Sequence, residues 1–369
     1  MKIHRLELRI VEIPYIHPFE TSFAREEKNQ ELIIQLTSGD WEGYGECVAM
    51  ESPYYSYETV STAWHILQDF IIPQLKSTEL DTPEDLCSLF HKIRGHPMAK
   101  AGIEEAFWDV CAKKAGVSLS HLLGGTRKTI ESGVSIGIDS QDVVLQAIET
   151  RLDQGYKRIK IKIKPGWDLT IVKAIRETFG DIPLMVDANA AYTLDDIDIL
   201  KELDTYNLMM IEQPLHHDDL FDHARLQKEL KTPLCLDESI ESLRDAQHAL
   251  EQKSCQIINI KHGRVGGLLE AKAIHDFCYH HSIPVWAGGM LEFGIGRATN
   301  IALASLPGFM LPNDISATSR YYTEDITESF TLNADGTITV PRREGIGVTV
   351  DKTVMEKYTL KKKEFTLAS

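Results

Sequence analysis

The stretch RIKIKIKPGWD, Arg158 to Asp168, decides how the chain is read. It alternates with the period of a β-strand: Ile159, Ile161 and Ile163 fall on one face, and Lys160, Lys162 and Lys164 on the other. On an edge strand the lysines would be solvated and would discourage edge-to-edge pairing. Inside a parallel barrel both faces are enclosed, and a row of ammonium groups then needs a chemical reason.

The surrounding pattern favours the barrel. From Thr129 onward, short apolar strands alternate with amphipathic helical stretches; the strands are SGVSIGI, RIKIKI, PLMVDAN, LMMIEQP, PLCLDES, IINIKH and PVWAGG. Such units imply parallel strands joined by crossovers, and their near-constant spacing fits a closed barrel better than an open sheet. No Gly-rich turn follows the first strand, so a dinucleotide-binding fold has no support, and GIGRA at Gly294 to Ala298 lacks the strand and acid such a motif requires. Upstream, LELRIVEIP, ELIIQLTSG and WEGYGECVA read as strands, with SGD near Gly39 as a hairpin turn. STAWHILQDFIIPQL and MAKAGIEEAFWDVCAKKAG then show helical spacing, the second ending at Gly116. Strands followed by helices describe a small α+β domain closing near Leu122 to Gly125. After Asp314 the pattern fades, and FTLNADGTITVPRREGIGVTV predicts a terminal hairpin turning at NADG and returning to the first domain.

Composition sets outer bounds. With 369 residues, 43% hydrophobic and 25% charged, the chain is ordinary for a globular protein with one large and one smaller domain. Its 39 Lys plus Arg against 55 Asp plus Glu leave a net charge of −16, which argues against nucleic acid or an anionic membrane as partner. The amino terminus MKIHRLELRIVEIP alternates like a strand and does not resemble a signal peptide, so a cytoplasmic location is expected. Cys47, Cys87, Cys111, Cys235, Cys255 and Cys278 are scattered with no CxxC pair and read as reduced core thiols.

One polar residue near the end of each middle strand interrupts the apolar run. Lys162, Asp187, Glu212, Asp237 and Lys261 follow one another at intervals of 25, 25, 25 and 24 residues. That is one strand-and-helix unit, so each occupies the same level of the barrel, at the carboxyl end where barrel enzymes build their sites. Singly, each acid is better explained as a helix cap or a solvated loop carboxylate; constant spacing makes that account fail for the set. Three converging carboxylates would repel, and a divalent cation resolves this. All-oxygen donors favour a hard ion, Mg²⁺ before Mn²⁺. Asn189 shares the direction of Asp187, whereas Glu238 is expected to face away unless the strand has ended. A lysine acts as a base near neutrality only if its pKa falls from about 10.4 toward 7, worth roughly 4.6 kcal/mol. A cation about 5 Å away at an effective dielectric of 20 supplies on the order of 3 kcal/mol, and Lys160 stands where that neighbour is needed. A hard metal between two lysines suits proton removal next to a carboxylate, where the ion neutralises the developing oxyanion.

KIKIKPGWD, VDANAAYTL, MIEQPL, CLDESI, NIKHGRVGG and WAGGMLEFGIGRA together resemble the enolase superfamily. Within it they are similar to the muconate lactonizing enzyme-like subgroup, in the branch of o-succinylbenzoate synthases and N-succinylamino acid racemases. The resemblance covers essentially the whole chain. It implies an α/β fold, a modified TIM barrel (β/α)7β, with an α+β capping domain. Residues 1–125 would form the cap, 126–317 the barrel, and 318–369 a segment returning to the cap. It implies Mg²⁺ on Asp187, Glu212 and Asp237, with Lys162 and Lys261 as acid/base groups on opposite faces and Lys160 beside them. Loops at Pro18 to Phe23 and Pro53 to Tyr57 would close over the barrel mouth and bring Phe19, Phe23, Tyr54 and Tyr55, which could equally be interdomain packing. Ser135, Asn189, Gly288, Gly289 and Met290 would line the pocket.

The implied activity is o-succinylbenzoate synthesis in menaquinone biosynthesis, with N-succinylamino acid racemisation as the alternative. The implied partner is a small carboxylate substrate, in a homo-oligomer. A Schiff-base aldolase using Lys261 leaves three aligned acids unexplained, and a silent metal-binding scaffold finds no missing lysine or acid to recommend it. The last strand carries no DxD motif of the kind found in dipeptide epimerases of the subgroup.

Overall fold

The computed structural model of the protein describes residues 1–76 and 78–367. Three antiparallel strands open the chain: β1 (Arg5–Glu20), β2 (Arg25–Ser38) and β3 (Trp41–Cys47). The β2–β3 ladder ends at Ser38↔Trp41, and its turn passes through Gly39 at φ 60°, as the SGD motif predicts. A short β4 (Thr129–Glu131) leads into parallel strands that pair in chain order: β5 (Gly133–Ile136), β6 (Arg158–Lys162), β7 (Leu184–Asp187), β8 (Ile211–Glu212), β9 (Leu234–Leu236), β10 (Ile257–Ile260) and β11 (Val285–Ala287). Then come β12 (Thr337–Thr339) and β13 (Thr359–Thr366), and β13 pairs antiparallel with β1, so the two ends of the chain share the sheet β13-β1-β2-β3.

The lysine face of β6 points into the barrel. β6 lies between β5 and β7, so it is no edge, and Lys160↔Met185 and Lys162↔Asp187 are cross-strand neighbours. Met185, Met210, Cys235, Ile257 and Trp286 form a buried cluster of their own inside the ring, and Lys160 Nζ sits 5.0 Å from the Trp286 ring centroid above it. The alternate residues Ile159, Ile161, Val186, Ile211, Leu234 and Ile258 belong to the larger core that also takes in the surrounding helices. Each such fully buried aliphatic side chain contributes about 1.5–3 kcal/mol, so the outer face supplies stability and leaves the inner face free for polar residues. Asn313 and Asp314 close the ring: Gly133 N donates to Asn313 O, and Asp314 N to Ala287 O, linking β5 to β11.

The helix Pro97–Ala115 ties cap to barrel. It begins with proline at its first position and stops at Gly116, whose φ is 66°. It lies so close to β3 that a Cβ on Gly45 would be 2.0 Å from Gly102 O. Its Glu104 accepts from Leu268 N and Leu269 N, at the start of the barrel helix Leu268–His280. Glu46 of β3 likewise accepts from Phe293 N and Gly296 N at the start of Gly294–Ala304. These are the N–H groups that a helix cannot satisfy internally, and acids from the cap satisfy them.

Two expectations need correction. STAWHILQDFIIPQL is not one α-helix: Val60–Ile66 passes into a π turn, Leu67–Ile71, and a 3₁₀ turn, Ile72–Leu75. Pro73 has no N–H to give and crowds the carbonyl four residues back, which widens the helix there. The terminal hairpin also fails to form. NADG does turn, Gly336 N donating to Asn333 O at 2.9 Å, but β12 pairs with β4, Ile338 against Ile130, and both isoleucines enter the barrel core. Burial of that isoleucine pair in the barrel core favours the pairing with β4.

Candidate active site

The inward residues at the strand ends meet in one polar layer. Lys162 and Asp187 are the last residues of β6 and β7, Glu212 is the last of β8, and Asp237 and Lys261 come one residue after β9 and β10. Lys162 Nζ donates to Asp187 Oδ2 at 2.7 Å and to Asn189 Oδ1 at 2.8 Å. Lys160 Nζ lies 3.2 Å from Asp187 Oδ2, 3.1 Å from Glu212 Oε2 and 2.5 Å from Asp314 Oδ2. From β10, Lys261 Nζ donates to Asp237 Oδ2 at 2.8 Å and to Tyr55 OH at 3.0 Å. Arg264 pairs with the other Asp237 oxygen, and Asn259 Nδ2 donates to Glu212 Oε1 at 2.8 Å. All of these side chains except that of Asn189 are buried or nearly so.

The charges are unevenly matched. Burial raises the Asp187 carboxyl, but Lys162 and Lys160 outweigh burial and hold it below the usual range. Asp237 is likewise lowered against burial, by Lys261 and Arg264. Glu212 is pushed up to about 8, by burial first and then by the charge of Asp187. Glu238 is pushed up to about 7 by burial, then by Asp237 and Asp187. On the cationic side, burial pulls Lys261 down, yet Asp237 keeps it above the ordinary lysine range. Lys160 is also raised, by Asp314, Glu212 and Asp187 against burial. The lowering that a lysine base needs is therefore not present at Lys261 while Asp237 holds its ammonium group, and Lys160, the neighbouring cation, stays charged.

Among the described residues, no three acids surround a single point as placed. Lys160 bridges Asp187 and Glu212, and Lys162 and Lys261 each occupy one acid. The donor set still fits a hard divalent ion. Its ligating atoms are all oxygens, and Glu238 Oε2 is buried without a partner. Flexible lysine stems can also withdraw from the acids. Glu238 turns toward the layer because β9 has ended by Leu236, and its Oε1 accepts from Asn189 Nδ2 at 3.0 Å.

A cavity opens over this layer. Of the residues anticipated, Phe19, Phe23, Tyr55, Ser135, Lys160, Lys162, Asn189, Lys261, Gly289 and Met290 line it. Tyr54 does not: it is 64% exposed and lies along an outer cleft with Pro53 and Tyr57. Gly288 packs beneath, against Asn259 and Lys261. Asp314, Arg297, Tyr321, Glu26 and Met50 also line the cavity without having been singled out. Asn259 had a legible signal, since it stands two residues before Lys261 on the same strand face. Asp314 had none, because the two-residue segment closing the barrel shows no period.

Residues 5–124 match the family model for the mandelate racemase / muconate lactonizing enzyme N-terminal domain, and residues 142–354 match the enolase C-terminal domain-like model. The chain belongs to the enolase superfamily. It is 51% identical over 361 residues to an o-succinylbenzoate synthase of Geobacillus kaustophilus, a match spanning 97% of this chain and 96% of that protein. It is 46% identical over 364 residues to an N-succinylamino acid racemase of an Amycolatopsis species, covering 98% and 99% of the two chains. A crystal structure of an enolase-superfamily member from Listeria innocua shares the whole fold, with a TM-score of 0.95, 44% identity and full coverage of both chains. The capping sheet and parallel barrel are thus those of the enolase fold, whose members work with a divalent metal, typically Mg²⁺. Among the described residues no helix is long and apolar enough to cross a membrane.

Proposed function

We propose that this enolase-superfamily chain is an o-succinylbenzoate synthase of menaquinone biosynthesis. It would remove water from 2-succinyl-6-hydroxy-2,4-cyclohexadiene-1-carboxylate. The observation that carries the reading is the pair of buried lysines, Lys162 and Lys261, that face one cavity from β6 and β10, each tied to a different acid of the polar layer. Asp187, Glu212 and Asp237 would hold Mg²⁺, or Mn²⁺ in its place; when bound, the ion neutralises the negative charge that develops on the substrate carboxylate.

Lys162, once it has lost its proton, takes the hydrogen on the carbon next to the carboxylate. The C–H electron pair passes into the carboxylate as an enediolate. Lys162 then returns the proton to the ring hydroxyl as its C–O bond breaks, so water leaves and the ring becomes aromatic. A single base serves both steps because hydrogen and hydroxyl leave from one face. Lys261 stays protonated and stabilises the enediolate by its charge, while Lys160 adds a fixed positive charge beside Lys162. Phe19, Phe23, Tyr55 and Met290 line the cavity and would exclude water, and Ser135, Asn189 and Gly289, which line it too, would offer polar contacts to the substrate. The reading includes a small carboxylate substrate, a homo-oligomer in the cytoplasm, and a division into cap (1–125), barrel (126–317) and returning segment (318–369).

One observation favours a second activity. Lys261 Nζ reaches the same cavity as Lys162, so the two amines could exchange a proton across opposite faces of an N-succinylamino acid and racemise it. The test is to assay the purified protein with Mg²⁺ on both substrates. Dehydration is expected, with loss in Lys162→Ala. Racemisation, where present, should be lost in both Lys162→Ala and Lys261→Ala. No turnover of either substrate by the wild-type protein would overturn the reading.

A further inference from the structure

Asp314 belongs to the segment that closes the barrel, its N–H bonded to Ala287 O at the end of β11. One carboxylate oxygen, Oδ1, accepts from Arg158 Nη2 at 2.9 Å, and the other, Oδ2, lies 2.5 Å from Lys160 Nζ. Arg158 is itself anchored. Its Nη2 also donates to Pro312 O at 3.2 Å, and its guanidinium stacks 5.0 Å from the Trp286 ring centroid. Asp314 is therefore held on one side and aimed at a lysine on the other.

That lysine stands between two acids of the polar layer. Lys160 Nζ has Asp187 at 3.2 Å, Glu212 at 3.1 Å and Asp314 nearest of the three. A divalent ion seated on Asp187 and Glu212 must take those two partners from the ammonium. A buried ammonium left with no counter-charge is costly, and among the described residues the only other carboxylate within salt-bridge distance of Lys160 is Asp314. We infer that Asp314, backed by Arg158, is a positioning residue that draws the Lys160 ammonium off Asp187 and Glu212 and so leaves them open to a divalent ion. Without that carboxylate, Lys160 competes with the ion for the same two acids from within the chain. The inference rests on the divalent-ion site of the proposed function, and its reach is the affinity of that site, whichever substrate is turned over.

The test is calorimetric titration of metal-free protein with MgCl₂, in wild type, Asp314→Asn, Lys160→Met and the double variant. Asp314→Asn should weaken Mg²⁺ binding about tenfold or more, the value of one charge-assisted hydrogen bond. In the Lys160→Met background the same change should matter less than about twofold, because the competitor is gone. An Asp314→Asn protein that binds within about twofold of wild type overturns the inference, as does a loss that persists undiminished without Lys160. The second outcome would mean that Asp314 acts through its own charge or through the fold. Arg158→Lys, which loosens the anchor and keeps the charge, gives a milder variant should Asp314→Asn lose its native circular dichroism; it should weaken Mg²⁺ severalfold, and unchanged affinity counts against the inference. Wild-type protein that binds no Mg²⁺ would defeat the proposed function itself, whereas normal wild-type binding with unaltered variants defeats this inference alone.

Discussion

Glu104 offers a quantitative test of how the cap is fastened to the barrel. Its carboxylate receives Leu268 N, Leu269 N at 3.0 Å and Trp108 Nε1 at 3.0 Å. Glu104→Ala orphans all three donors. A buried unsatisfied donor costs about 1–3 kcal/mol, but Leu269 borders a cleft that admits water, so its N–H can be rehydrated. The net expectation is a loss of about 2–4 kcal/mol, comparable to losing a strong helix cap plus one dry donor. Gly267, just before this helix, adds a second handle. Its φ is 135°, and a Cβ there would lie 1.6 Å from Glu104 Oε2. Gly267→Ala thus carries backbone strain of about 1–3 kcal/mol plus the clash. In the double variant the clash is gone and the strain stays. Glu104→Ala and Gly267→Ala should therefore be non-additive, the pair less destabilised than the sum by roughly 2 kcal/mol. Guanidinium unfolding followed by circular dichroism, with midpoints compared at constant m, measures all four proteins. Additivity within about 0.5 kcal/mol would refute direct contact between the two positions. Because the cap carries Phe19, Phe23 and Tyr55 into the cavity, the Glu104→Ala enzyme should also show a raised KM with a smaller change in kcat.

Three further expectations follow from the same contacts. Burial alone would lower the His262 imidazole, but Glu105, 2.9 Å from Nε2, and Asn300 at Nδ1 outweigh it and push it up to about 9. A raised histidine stabilises the fold fully below its unfolded value and loses that stabilisation as pH rises through the folded value. Stability should thus fall by about 3 kcal/mol between pH 6.5 and 9.5, and the fall should shrink by that amount in His262→Gln; an equally steep profile in the variant would refute it. Tyr55→Phe deletes the hydroxyl between Asp237 and Lys261 and should lower kcat/KM about tenfold, whereas Tyr54→Phe, at the surface, should change it less than about twofold; equal effects would mean the cavity is lined differently. Finally, Mg²⁺ at a hundred times its Kd should add about 2.7 kcal/mol to wild-type stability and shift the thermal midpoint up, with the shift lost in Asp237→Asn; a wild type indifferent to Mg²⁺ and to chelator would count against the site.

What could be read from sequence divides along a physical line. The polar layer was legible because two periods act together there: alternation along a strand sets which face a residue occupies, and a repeat of one strand-and-helix unit sets its level. Lys162, Asp187, Glu212, Asp237 and Lys261 satisfy both, and they meet. Tyr54 and Tyr55 satisfy neither, since they lie on a loop without a period, and only one of the two enters the cavity. Asp314 escaped for the same reason, on a closing segment too short to alternate. The glycines of GRVGG and GIGRA had no positive reading of their own in the sequence. They sit where acids of the distant cap come close: Glu104 approaches Gly267, and Glu46 accepts from Gly296 N. The charge state of the lysines was the hardest to foresee. Spacing brings Lys160 near Lys162, which argues for mutual repulsion and lowered basicity. Folding also brings Asp314 to Lys160 and Asp237 to Lys261, and these acids hold both ammonium groups charged. Under the proposed metal site, binding of the ion and the basicity of Lys261 would be linked, because an ion on Asp237 would take the acid that now holds that ammonium charged.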